Sequence, residues 1–178
     1  VEREACPNNL APTSSTTAQM ALGDALAVCL LDCKGFSELD FARYHPGGSL
    51  GKRLYLRVGD LHPVNPKPEV KPTASIQDVI LEISSKRLGA TAVTENGLLK
   101  GIITDGDLRR MMSMGGAFDN VKASDIMTPN PKTATSEMMA ADALQIMKSA
   151  HITQLVVVQE GRYEGFVHLH DLLKEGII

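Results

Sequence analysis

Tryptophan is absent and only 4% of the 178 residues are aromatic. Recognition of nucleic acid by stacking bases on aromatic rings is therefore poorly served. There is no surplus of positive charge either. Eighteen Lys and Arg against 21 Asp and Glu leave a formal net charge of −3, which excludes attraction of nucleic acid or anionic lipid by bulk charge. Cysteine is scarce: Cys6, Cys29 and Cys33 form no CxxC pair and have no His at ligand spacing. Such a sparse, odd, apolar-flanked set predicts buried thiols in a reducing compartment. Long hydrophobic runs are missing too. The most apolar stretch, AQMALGDALAVCLL, is too short for a bilayer and carries Asp24. The opening VEREACP is acidic and mixed, not basic and then apolar, so a cytoplasmic protein is expected. It begins at Val1 without Met and reads as the tail of a strand, as in an excised fragment.

What is present divides into two parts. With 43% hydrophobic residues, the chain can bury a core as one large or two small domains. Residues 1–53 hold a loop, CPNNLAPTSSTT, and a helix for which Ser15, Thr16 or Thr17 can serve as N-cap. Ala18, Leu22, Ala25, Leu26, Cys29 and Leu30 recur at helical spacing, and Gly35 is the stop signal. A second helix, SELDFARY, starts from Ser37. One and a half helices and a strand end cannot close a core, so this part reads as half a domain. The segment ARYHPGGSLGKR leaves it. A plain linker there needs Gly and Pro, but neither His45 nor the cations Lys52 and Arg53.

Residues 54–178 repeat themselves. VGDLHPVNPKPEVKPTASIQDVILEISSKRLGATAVTENGLLKGIITDGDL aligns with ASDIMTPNPKTATSEMMAADALQIMKSAHITQLVVVQEGRYEGFVHLHDL, with an offset of about sixty residues from Gly101 to Gly165. Each copy has a Pro-rich turn, an amphipathic helix, a strand, a Gly turn, a second strand and a helix opened by Asp-Leu. Two βαββα units on a pseudo-twofold axis would each cover the other's apolar sheet face. The fold class expected is mixed α/β and α+β, with repeats at 54–118 and 119–178. His168 and His170 alternate as on a strand, which would place both on one side; without a carboxylate or Cys set, an ordinary strand outweighs a metal site.

The repeat resembles a pair of CBS domains, on GIITDGDL, SDIMTPNPKTA and GFVHLHDL. The resemblance implies an adenine nucleotide or nucleotide-sugar effector bound through Gly101, Thr104 and Asp107, with Thr73 and Asp125 beside the cleft. Gly101 would let backbone approach the ligand, and Asp107 would take the ribose hydroxyls. Gly165 and Asp171 stand at the matching places in the second copy, where His168 replaces the hydroxyl residue. The plainer alternative is that Asp105 and Asp107 merely open a helix and Gly101 merely serves a strand.

EREACPNNLAPTSSTTAQMALGDALAVCLL and FARYHPGGSLGKRL resemble the C-terminal part of a SIS (sugar isomerase) domain. A SIS tail followed by a CBS pair is the order of the D-arabinose-5-phosphate isomerase family. That family interconverts ribulose 5-phosphate and arabinose 5-phosphate in the Kdo pathway to lipopolysaccharide. The resemblance implies catalytic roles for His45 and Glu4, a homo-oligomer (tetrameric when intact) in which His45 completes a neighbour's pocket, and no required cofactor. Isomerisation moves a proton between C1 and C2 through an enediolate, with Glu4 suited to the base and His45 to handling the oxygens. Gly47, Gly48 and Pro46 would set the turn that carries His45. Thr13, Ser14, Ser15 and Thr16, at a helix start, would line the phosphate pocket. The upstream parts of a SIS active site are not in this chain. The alternative reading is a CBS module that senses a nucleotide or pathway product without catalysis.

Overall fold

The structure is a computed structural model. It describes residues 1–45, 47–113, 115, 118 and 120–177, and for 49 and 50 the backbone alone. Pro46 of the expected turn lies outside the described residues. Two compact units are resolved, Val1–His45 and Pro46–Ile178.

In the first unit, helix α1 spans Ser14–Cys33 and α2 spans Glu38–Tyr44. The N-cap of α1 is Thr13, upstream of the three expected residues, and its own side chain makes no cap bond. Thr16 and Thr17 instead donate their hydroxyls to the Thr13 carbonyl, each at 2.9 Å. Gly35 ends the helix as expected, at φ 60°, where a side chain would be strained. Ser37 caps α2 by accepting from the Asp40 amide, in a reciprocal capping box. Residues 1–13 form turns and bends, so the expected strand end is not there. A strand needs a neighbouring edge to pair with, and the described residues of this unit provide none.

Helix α1 buries no residue. Met20, Leu22, Leu26, Val28, Leu30 and Leu31 are all exposed, and Ala42 is the single buried residue described in this unit. Cys29 and Cys33 are exposed for the same reason, and Cys6 is half-buried. This corrects the expectation of buried thiols: their helix finds no packing partner within the unit. The chain in these 45 residues lacks the material of a core, as the element count predicted.

The second unit opens with α3 (Ser49–Tyr55), where turn and linker were expected. Gly48 is its N-cap at φ −79°, a conformation open to any residue. Lys52 of this helix pairs with Glu175 at 2.7 Å. The first repeat then runs α4 (Val58–Leu61), a 3-10 turn (His62–Val64), β1 (Glu69–Val70), α5 (Ile76–Lys86), β2 (Ala90–Glu95), β3 (Leu98–Thr104) and α6 (Asp105–Ser113). The second runs α7 (Ala123–Ile126), β4 (Thr128–Pro129), β5 (Thr133–Ala134), α8 (Ala140–Ala150), β6 (Gln154–Gln159), β7 (Arg162–His168) and α9 (Leu169–Lys174).

The strands form one mixed sheet in the order β1-β2-β3-β7-β6-β5, with β4 paired to β3. Within each repeat a parallel pair precedes an antiparallel hairpin. Both hairpins turn on two positive-φ residues, Asn96-Gly97 and Glu160-Gly161, the turn that matches strand twist. Each repeat has its own helix-side core: Val79, Val93 and Ile103 in the first, Leu144, Leu155 and Leu172 in the second. A third cluster joins them, with Ala90, Ala92 and Ile102 of one repeat against Val156, Tyr163 and Phe166 of the other. The repeats thus cover each other's sheet faces, as the internal symmetry predicted.

Candidate functional site

A cavity of about 680 Å³ lies between the repeats. Thr104, Gly106, Asp107, Arg109 and Arg110 supply one wall, at the start of α6. Thr128, Asn130, Pro131 and Lys132 supply another, and residues 150–154 at the end of α8 close a third. Thr104 and Asp107 stand together because strand β3 runs directly into α6. The Asp107 carboxylate, 7% exposed as a residue, accepts from the Thr104 amide at 2.8 Å and its hydroxyl at 2.7 Å. Its other oxygen meets the Arg110 guanidinium. Asp107 is therefore a positioned acceptor with cations at hand. Arg109 and Lys132 line the same cavity, and Ile102, Pro131 and Ile152 add apolar surface. A diol acceptor, cations and an apolar wall suit a phosphorylated, ring-bearing ligand.

The other sequence candidates are distributed differently. Thr73 lines a separate cavity, also about 680 Å³, with Glu69, Thr94 and Asn96. Asp125 caps the short α7 by accepting from the Lys122 amide at 2.9 Å and is exposed. Gly101 is buried against the chain itself: a Cβ there would stand 2.8 Å from the Thr128 carbonyl and 2.9 Å from the Met127 sulfur. What its missing side chain admits in this structure is strand β4. Gly165 similarly faces His62, whose Nδ1 would be 3.2 Å from an added Cβ. Asp171 accepts from the His168 amide at 2.8 Å and from the Asn65 side-chain amide at 2.6 Å.

His168 and His170 do not share a strand. β7 ends at His168, which becomes the N-cap of α9, and His170 lies in that helix. The Asp171 bond to the His168 amide turns the chain out of the sheet. The rings remain neighbours, with centroids 4.7 Å apart, and the His170 amide donates to His168 Nδ1. Burial first, then the His170 charge, lowers the His168 pKa against the opposing pull of Asp171.

In the first unit, the Glu4 carboxylate sits at the start of α1. It accepts from the Thr13 amide at 2.7 Å, the Thr13 hydroxyl at 3.0 Å and the Ser15 amide at 3.2 Å. Hydrogen bonding from Ser15 and Thr13 holds its pKa down to about 2. Thr13, Ser14 and Thr16 border a shallow cavity of about 760 Å³ with Ala5 and Thr17. The amides of Thr13 and Ser15 already hold an anion, the Glu4 side chain. His45 ends α2, exposed, with its ring 4.6 Å from that of Phe41. Among the described residues, no hydrogen bond joins His45 to Glu4.

The CBS domain model matches residues 58–113 and 123–177, both repeats almost entire. The chain belongs to the CBS-domain family. Its CBS fold is shared with a CBS domain protein from Pyrobaculum aerophilum complexed with AMP, at a TM-score of 0.59 and 23% identity, over 66% of this chain and 90% of that one. Beyond the CBS pair, the chain is similar along its full length to arabinose 5-phosphate isomerase KdsD. Identity is 47% to the Escherichia coli (strain K12) protein, over all of this chain and 55% of that one. It is 52% to the Francisella tularensis protein, over 98% of this chain and 54% of that one. The chain thus spans about half the length of these relatives. Among the described residues, no helix is long and apolar enough to cross a membrane.

Of the residues that line this cavity, the sequence singled out Thr104 and Asp107 but not Arg109, Arg110, Asn130 or Lys132. A signal for two of them was there: NPK stands at the same place in both copies, at 65–67 and 130–132.

Proposed function

We propose that the chain is the C-terminal part of a D-arabinose-5-phosphate isomerase, with residues 1–53 the end of its SIS domain and a regulatory CBS pair in repeats 54–118 and 119–178. One observation carries this: the 47% identity to the isomerases extends over the whole chain, including the HPGGSLGKRL stretch outside the CBS match. In this reading the substrate is a phosphorylated pentose, and a proton passes between its C1 and C2 through an enediolate. His45 stabilises the charge that develops on the oxygens or moves protons between them. Glu4 is the base for the carbon acid. With its carboxyl held at about 2 by the Thr13 and Ser15 donors, it is a weak base, so that role requires those donors to turn elsewhere, to the phosphate of the substrate. The exposed apolar surface of α1 fits a helix that packs within a complete SIS domain in a homo-oligomer. Replacing His45 by Ala in the full-length protein is expected to remove most of the turnover, by roughly 10²-fold or more. Undiminished conversion of ribulose 5-phosphate rejects the assignment.

The cavity at Asp107 favours a second activity, ligand sensing. Asp107 would take ribose hydroxyls, Arg109 and Lys132 the phosphate, and Ile102, Pro131 and Ile152 the base. Calorimetric titration with AMP, ATP and a nucleotide-activated Kdo tests it; heat from any of the three supports the site, and three flat titrations reject it.

A further inference from the structure

The two half-sites of the pair are built from matching residues, yet they are in different states. Gly101, Thr104 and Asp107 correspond to Gly165, His168 and Asp171 by the repeat, and Asn130 corresponds to Asn65. At the first half-site Asn130 adopts a left-handed backbone, φ 50°, and lines the open cavity with Asp107. Asp107 is bonded by Thr104 and Arg110 of its own repeat. At the second half-site Asn65 is extended, φ −83° and ψ 150°. Its side-chain amide crosses to the other repeat, donating to Asp171 Oδ2 at 2.6 Å and to the Phe166 carbonyl at 3.1 Å. His62 closes in beside it over Gly165, bonded through Nε2 to the Ser136 hydroxyl at 3.1 Å.

An amide donor on a carboxylate is the same contact that a ligand hydroxyl would make. Because Asn65 is tethered, it competes for the acceptor at a high effective concentration, and a ligand that needs Oδ2 of Asp171 must break that bond before gaining its own. His168 adds to the block, since in place of a threonine hydroxyl it presents a ring already engaged by the His170 amide. We infer that Asn65 acts as a built-in plug on Asp171, so that the pair takes one phosphorylated ribose-type ligand, at Asp107, and not two. The stoichiometry rests on the sensing reading of the Asp107 cavity; the plug itself does not.

The test uses the whole chain in two measurements. In calorimetry with AMP the unaltered chain takes up one equivalent, Asp107→Ala abolishes that uptake, and Asn65→Ala or the milder Asn65→Ser adds a second equivalent. Two equivalents in the unaltered chain, or no added equivalent in folded Asn65 variants, overturn the inference. The second measurement needs no ligand. By NMR the Asn65 side-chain amide protons exchange slowly, and at least tenfold faster in Asp171→Ala. Equal exchange in the two proteins means that no plug exists. If AMP gives no heat while Asn65 is protected, the sensing reading falls for adenine nucleotides and the plug stands.

Discussion

Glu4 is a carboxylate that its surroundings hold as a cap on a helix start. Three donors from Thr13 and Ser15 bind it at the start of α1, where the helix dipole also favours an anion. Its pKa falls from 4.5 to about 2. The folded value is depressed, so the stability it lends is complete above about 4.5 and is lost as pH falls toward 2. Side-chain carboxyl NMR is expected to place the Glu4 midpoint near 2; a midpoint near 4.5 would show that the cap does not form in solution. Asp107 is the comparable group in the second unit, but buried. Asp107→Ala strips a partner from the Thr104 amide and hydroxyl. We expect a loss of about 1–3 kcal/mol in urea unfolding, as for a buried donor left unpaired.

At the level of elements, repetition of sequence produced repetition of structure, with local departures that matter. Helices α5 and α8 correspond, and both end on left-handed residues, Arg87 and His151. Their starts differ. Ser75 caps α5 by accepting from the Asp78 amide, while Met139 precedes α8 with no side-chain cap. Ser75→Ala is expected to cost about 1 kcal/mol, seen as a lower urea midpoint, and a change below a few tenths would mean that packing alone holds the helix start. The helices, strands and hairpins of both repeats were legible because their periodicity and turn residues are local properties. Helix α3 was not: a glycine turn was expected where it starts, and its Lys52 pairs with Glu175 from the far end of the chain, a contact with no local signal. The same limit hid the start of α9, since alternation of His168 and His170 looks like strand until Asp171 caps the helix.

Over the whole molecule, the buried His62 and the half-buried His168 at the second half-site couple stability to pH. Burial, then the Lys67 charge, lowers the His62 pKa against the pull of Glu164, and burial, then His170, lowers that of His168. The unfolded chain therefore binds protons that the fold refuses, and stability falls as pH drops below about 6.5. Thermal melts between pH 7.5 and 5 should show the midpoint declining on the acid side, with a smaller decline in His62→Gln. A melt independent of pH across that window would place both rings in water.

What the sequence by itself determined follows from short-range chemistry: where helices and hairpins lie, that 54–178 is a duplicated unit, and that 1–53 lacks the residues for a core. Residue pairs three apart, such as Thr104 with Asp107 and Ser37 with Asp40, belong to the same class, since a single turn brings them together. Only the tertiary structure decided which duplicated residues face open space. Gly101 and Gly165 match in sequence, as do Asp107 and Asp171 and the two asparagines. Whether an asparagine reaches across the repeats to the aspartate, as Asn65 does to Asp171, or lines a cavity beside it, as Asn130 does at Asp107, depends on how one repeat meets the other, across more than a hundred residues in the Asn65–Asp171 pair. Contacts at that separation carry no local signature, and there two near-identical patterns part, one aspartate bonded from the other repeat and one from its own.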